Sequence, residues 1–223
     1  MKTKLLTALM AATLLAAAPV MASAQAARPA APAAGQQQAG AKVIAASERA
    51  LSTLQSRRTE FRNNPVALRT FIDSELNSIF DRDYAARLVL GVHGRGASDA
   101  DIKLFADAMA DNLMQRYGSA LLEIQGNPKF RLKSESPLPG NRGVKVSTEL
   151  LRAGSESTPV DYLMRNVDGQ WKIFDVMIEG ISYVQTFKNQ FDTPLRQKSI
   201  KQVATELRNG SIQAGGGQAT RGK

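Results

Sequence analysis

The sequence predicts an α+β fold: an antiparallel β-sheet meander with helices packed on one face, enclosing an apolar cleft. Three observations predict it. Apolar residues recur at three- and four-residue steps through residues 64–117, the period of a helix face. They alternate with polar residues through residues 129–178, the period of half-buried strands. The helical period then returns from Val184 to Leu207.

Each element has its own signal. Asn64-Pro65 opens the first helix, since Asn caps and Pro suits the first helical position. Behind it Leu68, Phe71, Ile72, Leu76, Ile79 and Phe80 form an apolar face. A shorter helix carries Tyr84, Leu88 and Val89 and stops at Gly91. A third starts at Ser98, with Asp99 and Asp101 where negative charge suits the helix dipole. Its stripe is Ile102, Phe105, Met109, Leu113 and Tyr117, with Gly118 as a stop or bend. In the strand region Phe130 and Leu132 alternate with Lys129, Arg131 and Lys133. Val144, Val146, Thr148 and Leu150 alternate with Lys145, Ser147 and Glu149. Residues 160–167 and 171–178 flank Asp168-Gly169, a strong hairpin signal. After Gly180 a helix follows through Val184, Phe187 and Phe191. Thr193-Pro194 repeats the cap-then-proline start, ahead of a last stripe of Ile200, Val203 and Leu207.

The ends of the chain differ from this body. Lys2 and Lys4, an apolar run from Leu5 to Val20, and Ala22-Ser23-Ala24 have the three-part layout of a secretory signal peptide over residues 1–24. At about 16 residues the run is shorter than the roughly 20 that a membrane helix needs. Residues 25–42 are Ala, Gln, Pro and Gly with almost no large apolar side chain, and read as a disordered leader. Residues 210–223 read as a flexible tail. The folded body is then residues 43–209, one domain without internal repeats.

Composition narrows the function. The signal holds two of the 29 basic and none of the 20 acidic residues, so the processed chain carries 27 minus 20, or +7. Such a surface suits anionic lipid or an acidic partner, and export disfavours nucleic acid. With no Cys, thiol chemistry and thiolate metal sites are excluded. His93 is the single histidine, in the glycine-rich stretch Gly91–Gly96. That stretch has neither dinucleotide-fingerprint spacing nor a Gly-Lys-Ser/Thr ending, so it reads as a connection. Ser182 lacks the second glycine of a nucleophile elbow. The pairs Asp81/Asp83 and Asp99/Asp101 are too few oxygens for a metal site, and helix-start charge explains the second. Lys129, Arg131 and Lys133 share a strand face, which serves as a solvated face or as a dock for anionic groups.

One block is more specific. Trp171-Lys172-Ile173-Phe174-Asp175-Val176-Met177-Ile178-Glu179-Gly180-Ile181-Ser182 resembles the signature of the toluene-tolerance (MlaC) family. Phe187, Gln190 and Phe191 match the family's following helix, and Ala85–Gly91 resembles its short central helix. Tyr117 and Val144-x-Val146-x-Thr148 also fit. The resemblance spans residues 45–208; His93-Gly94 departs from it, where the family often has an aromatic residue. It implies a soluble periplasmic carrier with phospholipid as cargo; the residues themselves offer no catalytic set and no cofactor motif, and a monomer is expected because a carrier must present its mouth to two partners in turn. Its partners would be an outer-membrane lipoprotein complex and an inner-membrane ABC transporter with an MCE-domain subunit.

For the cleft, the stripes point to Phe80, Tyr84, Leu88, Phe105 and Met109 from the helices. From the sheet and the last part they point to Val146, Tyr162, Met164, Phe174, Val176, Tyr183 and Phe187. Aromatic and Met stripes serve equally as plain core. Asp175 and Glu179 are placed to anchor the strand-to-helix turn. Three other readings compete: a pocket enzyme using Asp175, Tyr162 or His93, a carrier of hopanoid or another lipid, and a scaffold with a filled core.

Overall fold

The structure, a computed structural model, describes residues 34–124 and 126–215. The signal peptide, the leader up to residue 33 and the tail from residue 216 lie outside them. The described residues belong to one compact unit.

The order is α1 (Ala34–Ser56), α2 (Arg58–Asn63), α3 (Pro65–Ile79), α4 (Arg82–Leu90), a 3-10 turn (Gly91–Gly94) and α5 (Asp99–Leu121). The strands are β1 (Lys129–Pro137), β2 (Val144–Leu151), β3 (Thr158–Val167), β4 (Gln170–Ile178) and β5 (Ile181–Ser182). Helices α6 (Tyr183–Gln197) and α7 (Ile200–Arg208) close the series. The sheet is antiparallel, in the order β1-β2-β3-β4-β5, and so is the predicted meander.

Capping chemistry sets the helix starts. Side chains of Asn64, Asp81, Ser98 and Ser182 accept backbone N–H groups of Ala67, Tyr84, Asp101 and Gln185. Both tight hairpins have two successive residues at positive φ, Asp168-Gly169 and Glu179-Gly180, as the twist of a two-residue turn demands.

Five expectations need correction. Residues 34–42 are not leader but the start of α1. Large apolar side chains are few there, yet Ala39 and Val43 are buried against the sheet. The Gly40 N–H donates to Glu135 Oε1 at 3.1 Å, and a Cβ there would sit 2.4 Å from the same oxygen, so a larger residue would push the Glu135 carboxylate aside. Gly118 does not end α5, which runs on to Leu121 with Gly118 buried inside it. Thr193-Pro194 does not start a helix either. Phe187, Phe191 and Leu195 stay on one buried stripe through the proline, and the next helix is capped by Ser199 with Gln202. Residues 210–215 are not loose: Ala214 is fully buried and its N–H donates to Asn112 Oδ1 at 2.8 Å. Finally, a bulge at Lys133 breaks the β1 alternation. Leu132 is thereby left 41% exposed, and Glu135 is paired across from the buried Val146.

Helices cover one face of the sheet. On that face Val144, Val146, Val160, Tyr162, Met164 and Ile173 are buried with Ala39 and Val43 of α1 and Ile79 of α3. A second core joins α4, α5, α6 and α7 through Val89, Phe105, Phe191, Val203 and Leu207. The opposite sheet face carries ion pairs, Lys145 with Asp161 at 3.6 Å and both Arg131 and Lys133 with Glu149.

Candidate functional site: an apolar cavity between sheet and helices

Between these two cores lies a cavity of about 440 Å³. Its size falls in the ~300–1,000 Å³ range of ligand pockets. Helix α3 and the residue after it contribute Ile72, Leu76 and Phe80. Ala85, Ala86 and Val89 come from α4, and Ala106, Met109, Ala110, Leu113, Met114 and Tyr117 from α5. The sheet adds Phe174, Val176 and Ile178 of β4, and α6 adds Tyr183, Val184 and Phe187.

The end of β4 is shaped for this wall. A register shift leaves Phe174 without a cross-strand partner on β3, since Leu163 pairs with Asp175 and Met164 with Ile173. At that point the chain leaving α3 bridges to β4, Phe80 beside Ile173, and the Asp81 N–H donates to the Ile173 carbonyl at 2.8 Å. Phe80 and Phe174 both reach the cavity as a result.

The charged residues among the lining are Asp73, Arg82 and Asp175, and each has a partner. Arg82 reaches Asp107 at 3.2 Å and Asp73 at 3.8 Å. Asp175, 7% exposed, accepts the Ser182 hydroxyl at 2.6 Å and the Val184 N–H at 3.0 Å. It thereby ties β4 to the start of α6. The Glu179 side chain shows no such bond; its backbone N–H donates to the Pro159 carbonyl at 3.1 Å. A polar hollow of about 320 Å³ adjoins the cavity at Phe80 and Arg82, with Arg165, Lys103 and Lys172 among its walls.

The twelve residues expected in the cleft divide evenly. Phe80, Met109, Phe174, Val176, Tyr183 and Phe187 line the cavity. Tyr84, Leu88, Phe105, Val146, Tyr162 and Met164 do not. Tyr84 stands behind Phe174, edge-on at 5.4 Å, with the Arg165 guanidinium 4.1 Å over its ring. Phe105 packs against Phe191 in the helical core, and Leu88 is half-buried on α4, outside that core. Val146, Tyr162 and Met164 face the helical layer as the alternation requires, but α1 fills the space above them. Burial pushes the Tyr162 phenol up to about 12, against a hydrogen bond with Ser47 of α1.

Sequence reasoning missed most of the α5 wall. Leu113 and Tyr117 were on the recognised stripe. The less visible signal was small residues where a stripe has room for large ones: Ala85 and Ala86 on α4, Ala106 and Ala110 one turn apart on α5. The three residues that a pocket enzyme would use have separate partners. Asp175 holds α6, Tyr162 lies under α1, and His93 Nε2 meets Asp192 Oδ1 at 2.9 Å. Bonds from His93 and Arg196 hold Asp192 below the usual carboxylate range. No group of acidic, Cys or His side chains suited to a metal ion occurs among the described residues.

Fold and site together define an α+β protein with a hydrocarbon-lined cavity between a meander sheet and its helical cover. The chain belongs to the MlaC family: residues 45–209 match the family described as MlaC protein. It is 26% identical over 144 residues to the toluene tolerance protein ttg2D of Pseudomonas putida, covering 63% of this chain and 65% of that one, just under two thirds. It is 24% identical over 172 residues to the intermembrane phospholipid transport system binding protein MlaC of Haemophilus influenzae, covering 75% and 79%. A solved structure from Ralstonia solanacearum, a phospholipid-binding protein in complex with a phospholipid, has the same fold. The TM-score is 0.68 at 22% identity, over 78% of this chain and 97% of that one.

Proposed function

We propose that this chain is a periplasmic phospholipid carrier of an Mla-type pathway. It moves lipid between an outer-membrane lipoprotein complex and an inner-membrane ABC transporter with an MCE-domain subunit. The observation that carries the proposal is the apolar cavity, walled by Phe80, Met109, Phe174, Val176 and Phe187, in a member of the MlaC family. The names of the relatives point the same way, and the signal-peptide pattern of residues 1–24 supports export.

The physics requires no chemistry. An acyl methylene in water costs about 0.8 kcal/mol, so two tails cost on the order of 20 kcal/mol or more. A dry cavity removes most of that cost. Cavity and bilayer are both apolar, so transfer between them is nearly balanced and runs either way as partners dictate. The charged headgroup stays wet, on the side where Arg82, Lys103 and Arg165 line the adjoining hollow.

The test is native mass spectrometry of the exported protein purified without detergent, with solvent extraction of the cargo. A single adduct of phospholipid mass is expected. A bare protein that also takes up no phosphatidylglycerol or phosphatidylethanolamine from vesicles overturns the proposal. A hopanoid adduct would change the cargo but not the carrier class.

A further inference from the structure

A second cavity of about 410 Å³ lies on the other side of α5. Its apolar walls are Phe61 of α2, Pro65 and Leu68 of α3, and Leu122 at the end of α5. Arg62 and Glu123 also line it, and they pair at 3.0 Å as exposed side chains. Two residues of α5 line both this cavity and the one between sheet and helices: Met114 and Gly118.

Those two residues form an unusual wall. Gly118 has no side chain, so Met114 supplies the only side chain at the shared positions. A Cβ on Gly118 would sit 2.6 Å from the Met114 Cε and 3.1 Å from its sulfur. The thioether therefore lies across bare helix backbone. Methionine is unbranched, with three rotatable bonds and a polarizable sulfur, and it changes rotamer without moving the backbone. A larger residue at Gly118 would displace that thioether. Beyond Met114, Phe61, Leu68 and Leu122 offer a hydrocarbon chain apolar contacts, while Arg62, Arg69, Gln115, Ser119 and Glu123 make the rest of that cavity more polar than the first.

We infer that Met114 is a movable partition between the two cavities and sets how long an acyl chain the protein carries. The inference rests on the carrier proposal above. When Met114 swings aside, the distal end of a long chain passes Gly118 into the second cavity; a short chain ends in the first. Met114 is then a specificity-determining residue rather than plain core filling.

The experiment offers the full-length exported protein an equimolar mixture of dilauroyl- and dioleoyl-phosphatidylglycerol vesicles. The ratio of the two bound lipids is read by native mass spectrometry. Each further methylene buried is worth about fourfold in affinity. Met114→Ala opens the partition and should shift the ratio toward the dioleoyl lipid by about tenfold or more, two methylenes' worth on that scale. Met114→Phe closes it and should shift the ratio the other way. If Met114→Phe fails to fold by circular dichroism, the alanine arm decides alone. Ratios within about twofold of wild type, with lipid still bound, overturn the partition and leave the carrier proposal standing. A wild-type protein that binds neither lipid overturns both.

Discussion

Two halves of one sheet face behave differently. Under α1, the sheet face is filled: Val144, Val146 and Met164 are at most 1% exposed, packed against Ala39 and Val43. Toward the β4 edge, under α3 to α6, the same face opens into a cavity lined by Phe174, Val176 and Ile178. The strands alternate in both halves and both present apolar side chains to the helices. The cover differs. In the first half, a helix with Ala39 and Gly40 at its contact lies directly on the strands. In the second, α4 and α5 turn Ala85, Ala86, Ala106 and Ala110 toward the sheet and leave space. Small residues thus do opposite things. On α1 they let the helix close onto the β1 side chains of Leu132 and Glu135; on α4 and α5, held away by their own helical core, they leave a void.

The largest expected effect falls on the filled half. Met164→Ala removes a fully buried side chain and should cost about 2–5 kcal/mol in denaturant unfolding, with phospholipid uptake per folded molecule unchanged. A loss of uptake at preserved stability would break the division between the halves. Next comes Tyr162. Its folded pKa is raised, so the unfolded chain loses the phenolic proton first, near the ordinary phenol value of about 10, and the folded protein only at about 12. Its contribution is fully present below pH 10 and falls by about 2–3 kcal/mol as pH rises to about 12. Tyr162→Phe should flatten that alkaline decline, measured as unfolding free energy against pH.

At the hinge between the halves, Asp175→Ala removes the acceptor of two bonds that start α6. About 2 kcal/mol is expected, with faster hydrogen exchange at the amide of Val184. The smallest stability effect belongs to the hollow half. Ala110→Phe fills space rather than crowding it, so it should change stability by less than about 1 kcal/mol, below the usual over-packing cost. It should abolish phospholipid uptake in the same preparation.

The comparison also explains what was legible in the sequence. Period-two alternation placed Val146, Tyr162, Met164 and Val176 on the inward face correctly, because a strand has only two faces. It could not say which of them meets a void, since that depends on the layer above. The covering α1 was itself invisible at its start: residues 34–42 lack large apolar side chains, and the burial of Ala39 and Gly40 rests on close approach to β1 rather than on large hydrophobic area. Phe174 and Phe80 were found from the β4 block and the α3 stripe. The bulge at Phe174 sits next to the Phe80–Ile173 bridge, a contact between residues far apart in the chain that no local pattern reveals. Pro194 misled for a related reason. The start signal was local, while the Phe187–Phe191–Leu195 stripe that carries α6 through it is satisfied only by tertiary packing.

The most direct test of the division is photocrosslinking with a phospholipid carrying a diazirine along its acyl chain, followed by peptide mapping. The account predicts adducts on the hollow half, at Met109, Phe174, Val176 and Phe187, and none at Val146, Tyr162 or Met164. Equal labelling of the two halves, or adducts confined to the residues beneath α1, would contradict it.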